Sequence, residues 1–572
     1  MNYRFFYSNP ATKYIDIEFL VAVSTEIITV KLPAWRPGRY ELGNFAKNIQ
    51  KWQAFNEKGD VLSFEKTNKD TWAVNTKNAK QLIIKYNYYA AELNAGSTWL
   101  DNEQIYVNPV NCCLYVPESM DEACEVELLI PEDYKIACSL PKNGNKLTAK
   151  NFDELADSPF VASNTLQREY FVIDGIEFNL WFVGKCKPNW GKLINDFFIF
   201  CNEQLALFGK FPSDEYHFIF QIVPYPHYHG VEHVKSTVVA LGPSYKLMEK
   251  EIYDELLGVS CHELFHVWNI KTIRPKEMMP YDFSKENYSR LGFIAEGVTT
   301  YYGDFLLYRS GVFNEQDYFG TFNDQLKKHF DNAGRTNYSV AASSFDTWLD
   351  GYQPGVPGRK VSIYTEGCLL AFATDILIRK QTQNTKCLDD VMRYLNNEFA
   401  CKGIGYSESD YKLIIENLTQ QNWDEFFINY VYGTHNYETL LKDCLNYIGL
   451  QFKITSNKKY NEDKFGFKTI DEGGITRVAA VYPNSPAEKA GLQINDKIVA
   501  VNNMEITANL NEWLTYFAAN SNSFIVSRNK EIKQIEITAD GKNYYQSYTV
   551  QRIANALAEQ MANYKMWCKR DF

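Results

Sequence analysis

The sequence predicts a multidomain α+β protein: a β-sandwich-like first domain, a mostly helical second domain and a small strand-rich module towards the C-terminus. Three observations predict it. At 572 residues the chain is too long for one ordinary domain. Short strand-like runs fill the first 160 or so residues and return after 456, with long apolar helical patterns between them. Aromatics are plentiful (39 Tyr, 37 Phe), which suits large β-rich cores.

Residues 1–160 carry IDIEFLVAV, EIITVKL, QLIIKYNYYA, IYVNP, CLYVP and EVELLIP. These runs are short, rich in β-branched and aromatic residues, and separated by Gly, Pro, Asn and Asp. No amphipathic helix pattern interrupts them, so a β-sandwich-like domain is predicted. Between two of the runs lies Trp35-Arg36-Pro37-Gly38-Arg39-Tyr40, which reads as a turn with an aromatic plug.

Residues 161–455 change character. Two strands, EYFVIDGIE and FNLWFVG, precede a helix around Trp190–Phe208 and a strand pair containing YHFIFQIVPY. From Ser244 helices dominate. The stretch 246–269 has helical spacing and stops before Pro275, while 290–311 and 360–382 are apolar nearly all round. Helices apolar on every side belong in the middle of a domain. Residues 456–545 form the strand-rich module, with one short helix at SPAEKAGL and another near Asn511, and 546–572 read as a helical tail.

Composition narrows the function. Lys+Arg 59 against Asp+Glu 70 gives −11, which argues against a nucleic-acid or anionic-membrane surface. No apolar run of membrane-spanning length occurs. The N-terminus lacks the features of a signal peptide, so the expected location is the cytoplasm, or the periplasm where a leader has been removed. Twelve cysteines without Cys-x-x-Cys spacing fit reduced, buried thiols.

The chemistry is concentrated in Cys261–Asn269, which contains His262-Glu263-Leu264-Phe265-His266. Four residues apart on a helix, His262 and His266 lie on one face and can grip one metal ion. Glu263, one step round, can take a proton from water held at such an ion. A catalytic zinc usually has three protein ligands and an open position. Glu296 is the candidate third ligand: a carboxylate amid Phe293, Ile294, Ala295, Val298 and Tyr301 is costly to bury unless a cation neutralises it. Asp304, two turns on, could orient a ligand histidine. The remaining histidines read as surface or packing residues.

These motifs resemble the glycyl aminopeptidase family of zinc peptidases, relatives of aminopeptidase N and thermolysin that carry a PDZ domain. His262–Asn269 with Arg274-Pro275 looks like the family's zinc-binding helix, and Ala295-Glu296-Gly297 before Tyr301-Tyr302 like its third-ligand helix. Trp35–Tyr40 is similar to the family's Trp-x-Pro-Gly-Ser-Tyr turn, with Arg39 replacing serine, and marks the N-terminal β domain, not a catalytic part.

The resemblance implies a thermolysin-like catalytic domain, one zinc ion per chain and removal of N-terminal residues, Gly or Ala foremost, from peptides with a free amino terminus. Gly230-Val231-Glu232-His233 resembles the family's Gly-Leu-Glu-His segment. The likeness makes Glu232 the anchor of the substrate α-amino group, with Gly230 beside it. Tyr364 matches the position of an oxyanion-stabilising tyrosine, for which Tyr301 and Tyr302 are competitors. Phe465-Gly466-Phe467 resembles the carboxylate-binding loop of a PDZ domain, with Lys464 where the first glycine is usual. Such a groove could take a peptide or protein C-terminus. The rival functions are a zinc endopeptidase, which needs no Glu232, and an inactive peptide-binding scaffold.

Overall fold

The computed structural model describes residues 1–353 and 355–572. It divides into two compact units: 1–314 with 344–353 and 385–421, and 315–343 with 354–384 and 422–572.

The first unit opens with the predicted β domain. An eight-stranded sheet has Asn2–Phe6 and Tyr14–Ala22 at its centre, and a four-stranded sheet contains Gln104–Val107 and Phe160–Ser163. Along Tyr14–Ala22 burial alternates, sending Ile15, Ile17, Phe19 and Val21 inward, the period-2 pattern of a half-covered strand. Both sheets contribute to one core, and Phe5 meets Phe160 edge to face at 5.6 Å. Two short helices, Pro109–Cys112 and Phe152–Ala156, do interrupt the strands. Each is one turn or little more, too short to leave a periodic signature. The second is started by Asn151 Oδ1, which accepts the Glu154 N–H at 2.9 Å.

A five-stranded sheet follows, in the order Gln167–Ile173, Ile176–Val183, Glu215–Ile222, Ser236–Gly242, His227–Glu232. Its central strands run parallel and are buried almost throughout, which explains their unbroken apolar sequences. His227–Glu232 is the antiparallel edge strand. The helix Trp190–Phe208 forms as predicted, capped by Asn189.

The long helical pattern of 246–269 becomes a helix only over Lys250–Phe265; His266 is already its C-cap. The pattern at 290–311 is broken into Gly292–Ala295 and Gly297–Ser310, with Glu296 at the junction. Sequence periodicity runs smoothly across both ends, because a local change of turn type leaves the apolar spacing intact.

The second unit contains the helix Ile363–Gln381, whose first turn is capped by Ser362. Its strand-rich module is a sheet ordered Phe467–Glu472, Ile475–Val481, Lys497–Val501, Ser521–Arg528, Glu531–Thr538, closed over Phe465, Phe467, Val478, Ile498 and Phe524. The tail is helical only over Ala558–Cys568: Ser547–Arg552 is a strand paired with Leu450–Thr455. A distant partner strand overrides the local helical preference there. All twelve cysteines are free thiols and most are buried. Among the described residues no helix is long and apolar enough to cross a membrane.

Candidate active site

The last turn of the helix Lys250–Phe265 carries His262 and Glu263, and His266 follows at its end. The next helical segment delivers Glu296 at its break. The three expected ligands converge: His262 Nε2 to His266 Nε2 is 3.0 Å, His266 Nε2 to Glu296 Oε2 is 3.3 Å, and His262 Nε2 to Glu296 Oε2 is 4.0 Å. Ligands about 2.0–2.2 Å from a common tetrahedral ion stand roughly 3.3–3.6 Å apart, a range the three separations bracket.

The donor atoms are prepared for a cation. His266 Nδ1–H donates to the Asn269 carbonyl at 2.8 Å, which leaves the Nε2 lone pair facing the site. Asn269 also donates to the carbonyls of Ile294 (2.8 Å) and Ala295 (3.2 Å), tying the two ligand-bearing segments together. Gly303 lies so close that a Cβ there would stand 3.2 Å from His262 Cβ. Two imidazole nitrogens and a carboxylate, nearly all buried, are a group that could hold a metal ion, with the donor types catalytic zinc sites use.

Glu263 is buried, and its Oε2 has no hydrogen-bond partner. Burial, opposed by His266 and reinforced by Glu232 and Glu296, pushes its carboxyl up to about 8. The edge strand makes room for it at Gly230, where a Cβ would come within 2.2 Å of Glu263 Oε1.

Glu232 ends that edge strand and is 5% exposed. Among the described residues its carboxylate has neither a hydrogen bond nor a cation within ion-pair distance. The other wall of this site is a surprise. The turn Trp35–Tyr40, besides marking the β domain, packs directly against the candidate site. Tyr40 Oη–H donates to Glu296 Oε1 at 3.2 Å, and Gly38, at φ +84°, packs against Glu232 so closely that a Cβ would lie 2.5 Å from Oε2.

Trp35 fixes the turn. Its Nε1–H donates to the Asp282 carbonyl at 2.7 Å, and its ring meets Trp348 edge to face at 5.2 Å. Arg36, from the same turn, is 5% exposed. Burial and the neighbouring Arg39 lower its pKa, with Tyr352, Glu232 and Tyr106 acting the other way. Burial together with Arg36 and Arg39 also holds His229 down to about 3. The reading of the turn as a mark of the β domain gave no sign that Gly38, Tyr40 and Arg36 stand beside the candidate site. The available signal was two arginines in a turn that needed only small or aromatic residues.

The other candidates are distributed as follows. Tyr302 is engaged elsewhere, its hydroxyl donating to Asp389 at 2.6 Å. Tyr364 lies in the second unit, half-buried, as the second residue of the helix Ile363–Gln381. In the strand-rich module Phe465 and Phe467 are core residues, and the Gly466 N–H is donated to the Asn461 carbonyl. Asn461 Nδ2 in turn donates to the Phe467 carbonyl at 2.8 Å. His217 and His233 are packing residues: His217 Nδ1 accepts Trp181 Nε1–H at 3.0 Å, and His233 Nδ1 stands 3.2 Å from Asp157.

Comparison with known proteins agrees with this geometry. Residues 2–164 match the Peptidase M61 N-terminal domain, 255–370 the M61 glycyl aminopeptidase and 477–526 a PDZ domain. No curated protein matches the chain. Among solved structures, an aminopeptidase N family protein from Idiomarina loihiensis is similar over 99% of both chains, with TM-score 0.91 and 26% identity. An M1 zinc metallopeptidase from Deinococcus radiodurans is a more distant match, at TM-score 0.47 and 12% identity over 76% of this chain and 94% of its own. With both M61 domains matched in order and a His-His-Glu triad assembled beside a buried carboxylate, the chain resembles peptidase family M61 over both of its domains and is a metallopeptidase with a PDZ domain.

Proposed function

We propose that this metallopeptidase is a zinc aminopeptidase that removes single residues, small ones foremost, from the free N-terminus of peptides. The observation that carries the proposal is Glu232. A buried carboxylate without a partner is costly, and one beside a metal triad has an obvious use: the substrate ammonium completes it. An endopeptidase has no need of such a charge.

His262, His266 and Glu296 would hold one zinc ion. When bound, zinc supplies Lewis-acid polarisation of the scissile carbonyl and lowers the pKa of a water in its open position to roughly 7. The chain's own residues supply the rest. Glu232 fixes the α-amine, so that the first peptide bond lies over the triad, with the backbone at Gly230 alongside. Glu263 accepts the proton of the attacking water and delivers it to the leaving amine. Its unpartnered Oε2 leaves the carboxylate free to take part in both halves of that transfer.

Tyr364 is the proposed hydrogen-bond donor to the oxyanion. The resemblance of 362–367 to the family's tyrosine segment supports this role, and the Ser362 cap gives the helix turn that bears it a defined start. Exchange of a good tripeptide substrate for its N-acetyl form tests the central claim. Cleavage is expected to fall by at least ~100-fold, as for loss of a buried charge-assisted contact. Undiminished cleavage of the acetylated peptide would establish the endopeptidase instead.

A further inference from the structure

Arg36 is a buried cation without an anion. Its side chain forms no hydrogen bond among the described residues, Nη1 is shut off from solvent with nothing to donate to, and no carboxylate lies within ion-pair distance. Other buried cations in this protein are treated differently: Lys271 Nζ is 2.6 Å from Asp157, and Arg309 is 2.7 Å from Glu203 and 2.9 Å from Asp389. Leaving one guanidinium bare costs stability.

The surroundings are built to keep it there. The guanidinium packs tightly against Gly96, where a Cβ would stand 2.1 Å from Cζ and 2.4 Å from Nε. That glycine is held on both sides. Its N–H donates to Asn94 Oδ1 at 2.8 Å, and its carbonyl accepts Asn111 Nδ2–H at 2.9 Å. Arg36 also lines a cavity of about 360 Å³. Arg39 and Lys47 line the same cavity, with Glu41 already paired to Arg39 at 2.5 Å and Glu92 accepting from Asn94 at 2.6 Å. Two residues along the chain from Arg36, Gly38 sits on the carboxylate of Glu232.

We propose that Arg36 is a substrate-binding residue whose planar fork receives a carboxylate of the bound peptide, so that the site reads a negative charge on the substrate as well as its free amine. A guanidinium presents two parallel N–H groups that match a carboxylate edge, and the neighbouring cations favour an anion over a neutral carbonyl. The idea rests on the aminopeptidase reading above and names its substrate class. Two sources can supply the group: the C-terminal carboxylate of a di- or tripeptide, or the side chain of an acidic first residue.

The test uses the zinc-loaded full chain and two matched pairs. Gly-Gly-Gly is compared with its C-terminal amide, and Asp-Ala-amide with Asn-Ala-amide. A preference of tenfold or more in kcat/KM for the acid in the first pair identifies a short-peptide enzyme. The same preference in the second pair identifies an acidic first residue. In either case Arg36→Gln is expected to bring the ratio to near one, and Arg36→Lys, which keeps the charge without the fork, to an intermediate value. Parity in both pairs, or a preference that survives Arg36→Gln, overturns the proposal.

Calorimetric binding of the same pairs to the zinc-loaded Glu263→Gln chain reads the preference without turnover. Absence of cleavage from every peptide would therefore count against the aminopeptidase reading, while the binding ratio still decides the role of Arg36.

Discussion

Glu296 and Glu232 are carboxylates of one site, 3% and 5% exposed, and the fold treats them in opposite ways. Glu296 accepts a hydrogen bond from Tyr40 at 3.2 Å and stands 3.3 Å from His266, so its position is fixed before any ion arrives. Among the described residues Glu232 has no such hydrogen-bond or ion-pair partner, and Gly38 packs closely against it. The contrast separates two tasks. A metal ligand must already stand where the ion will be, since a loose ligand costs affinity. A substrate anchor must be bare, since an internal partner would compete with the incoming charge. The buried cations repeat the division: Lys271 is paired with Asp157, whereas Arg36 is left open.

The strongest way to break this comparison is to remove the base that serves both halves. Glu263→Gln keeps the shape and loses the proton acceptor. It is expected to lower kcat by at least ~10³-fold while zinc content, measured by metal analysis, remains at one per chain. Equal activity in the two proteins would show that Glu263 does not move the proton.

Next in size is the bare carboxylate. Glu232→Gln should lower kcat/KM for peptides with a free amine by about 100-fold, with no change in zinc content. The corresponding loss should be absent for any residual cleavage of N-acetyl peptides. If zinc content falls with it, Glu232 is holding the metal ligands in place and the division drawn above is wrong.

The paired cation makes a third prediction, read in stability. Burial alone would raise the Asp157 carboxyl, but Lys271 and His233 outweigh it and leave it well below the usual carboxylate range. A carboxylate depressed in the folded state adds stability above its unfolded pKa of about 3.9, and that stability drains away as pH falls towards the lower folded value. Asp157→Asn is therefore expected to cost about 3 kcal/mol at pH 7 in urea unfolding and to flatten the acid limb of the stability curve. An unchanged acid limb would mean that the pair is not the source of the acid sensitivity.

The metal half of the site was legible in the sequence and the wall facing it was not. His262, Glu263 and His266 are related by one helical turn, and a helical turn is a local property that spacing reveals. Glu296 was legible for a different reason, an ionisable group in an otherwise apolar stretch. Tyr40 reaches Glu296 across 256 positions of chain, and no periodicity links two residues so far apart. The same limit explains the fold's departures. Ser547–Arg552 is a strand because Leu450–Thr455 offers it an edge, and the helix pattern over 290–311 hides a break at the one residue whose side chain must be re-aimed.

Tyr40 supplies the smallest and most specific prediction. Its hydroxyl donates to the Glu296 carboxylate and the ring is held by Trp348 at 6.0 Å, so Tyr40→Phe should remove the hydrogen bond and leave the packing. Loss of a partner behind a metal ligand typically weakens metal binding ~10-fold to ~100-fold. Because His266 still stands beside Glu296, the lower end is expected. A chelator competition should therefore show zinc leaving Tyr40→Phe at about a tenth of the chelator concentration the unsubstituted protein needs. Once zinc is supplied in excess, kcat/KM for free-amine peptides should return to within a few-fold of the original. A loss of kcat/KM that excess zinc does not restore would mean that the Tyr40 hydroxyl acts on the substrate itself. It would then belong with the bare groups, Glu232 and Arg36, and not with the satisfied metal ligands.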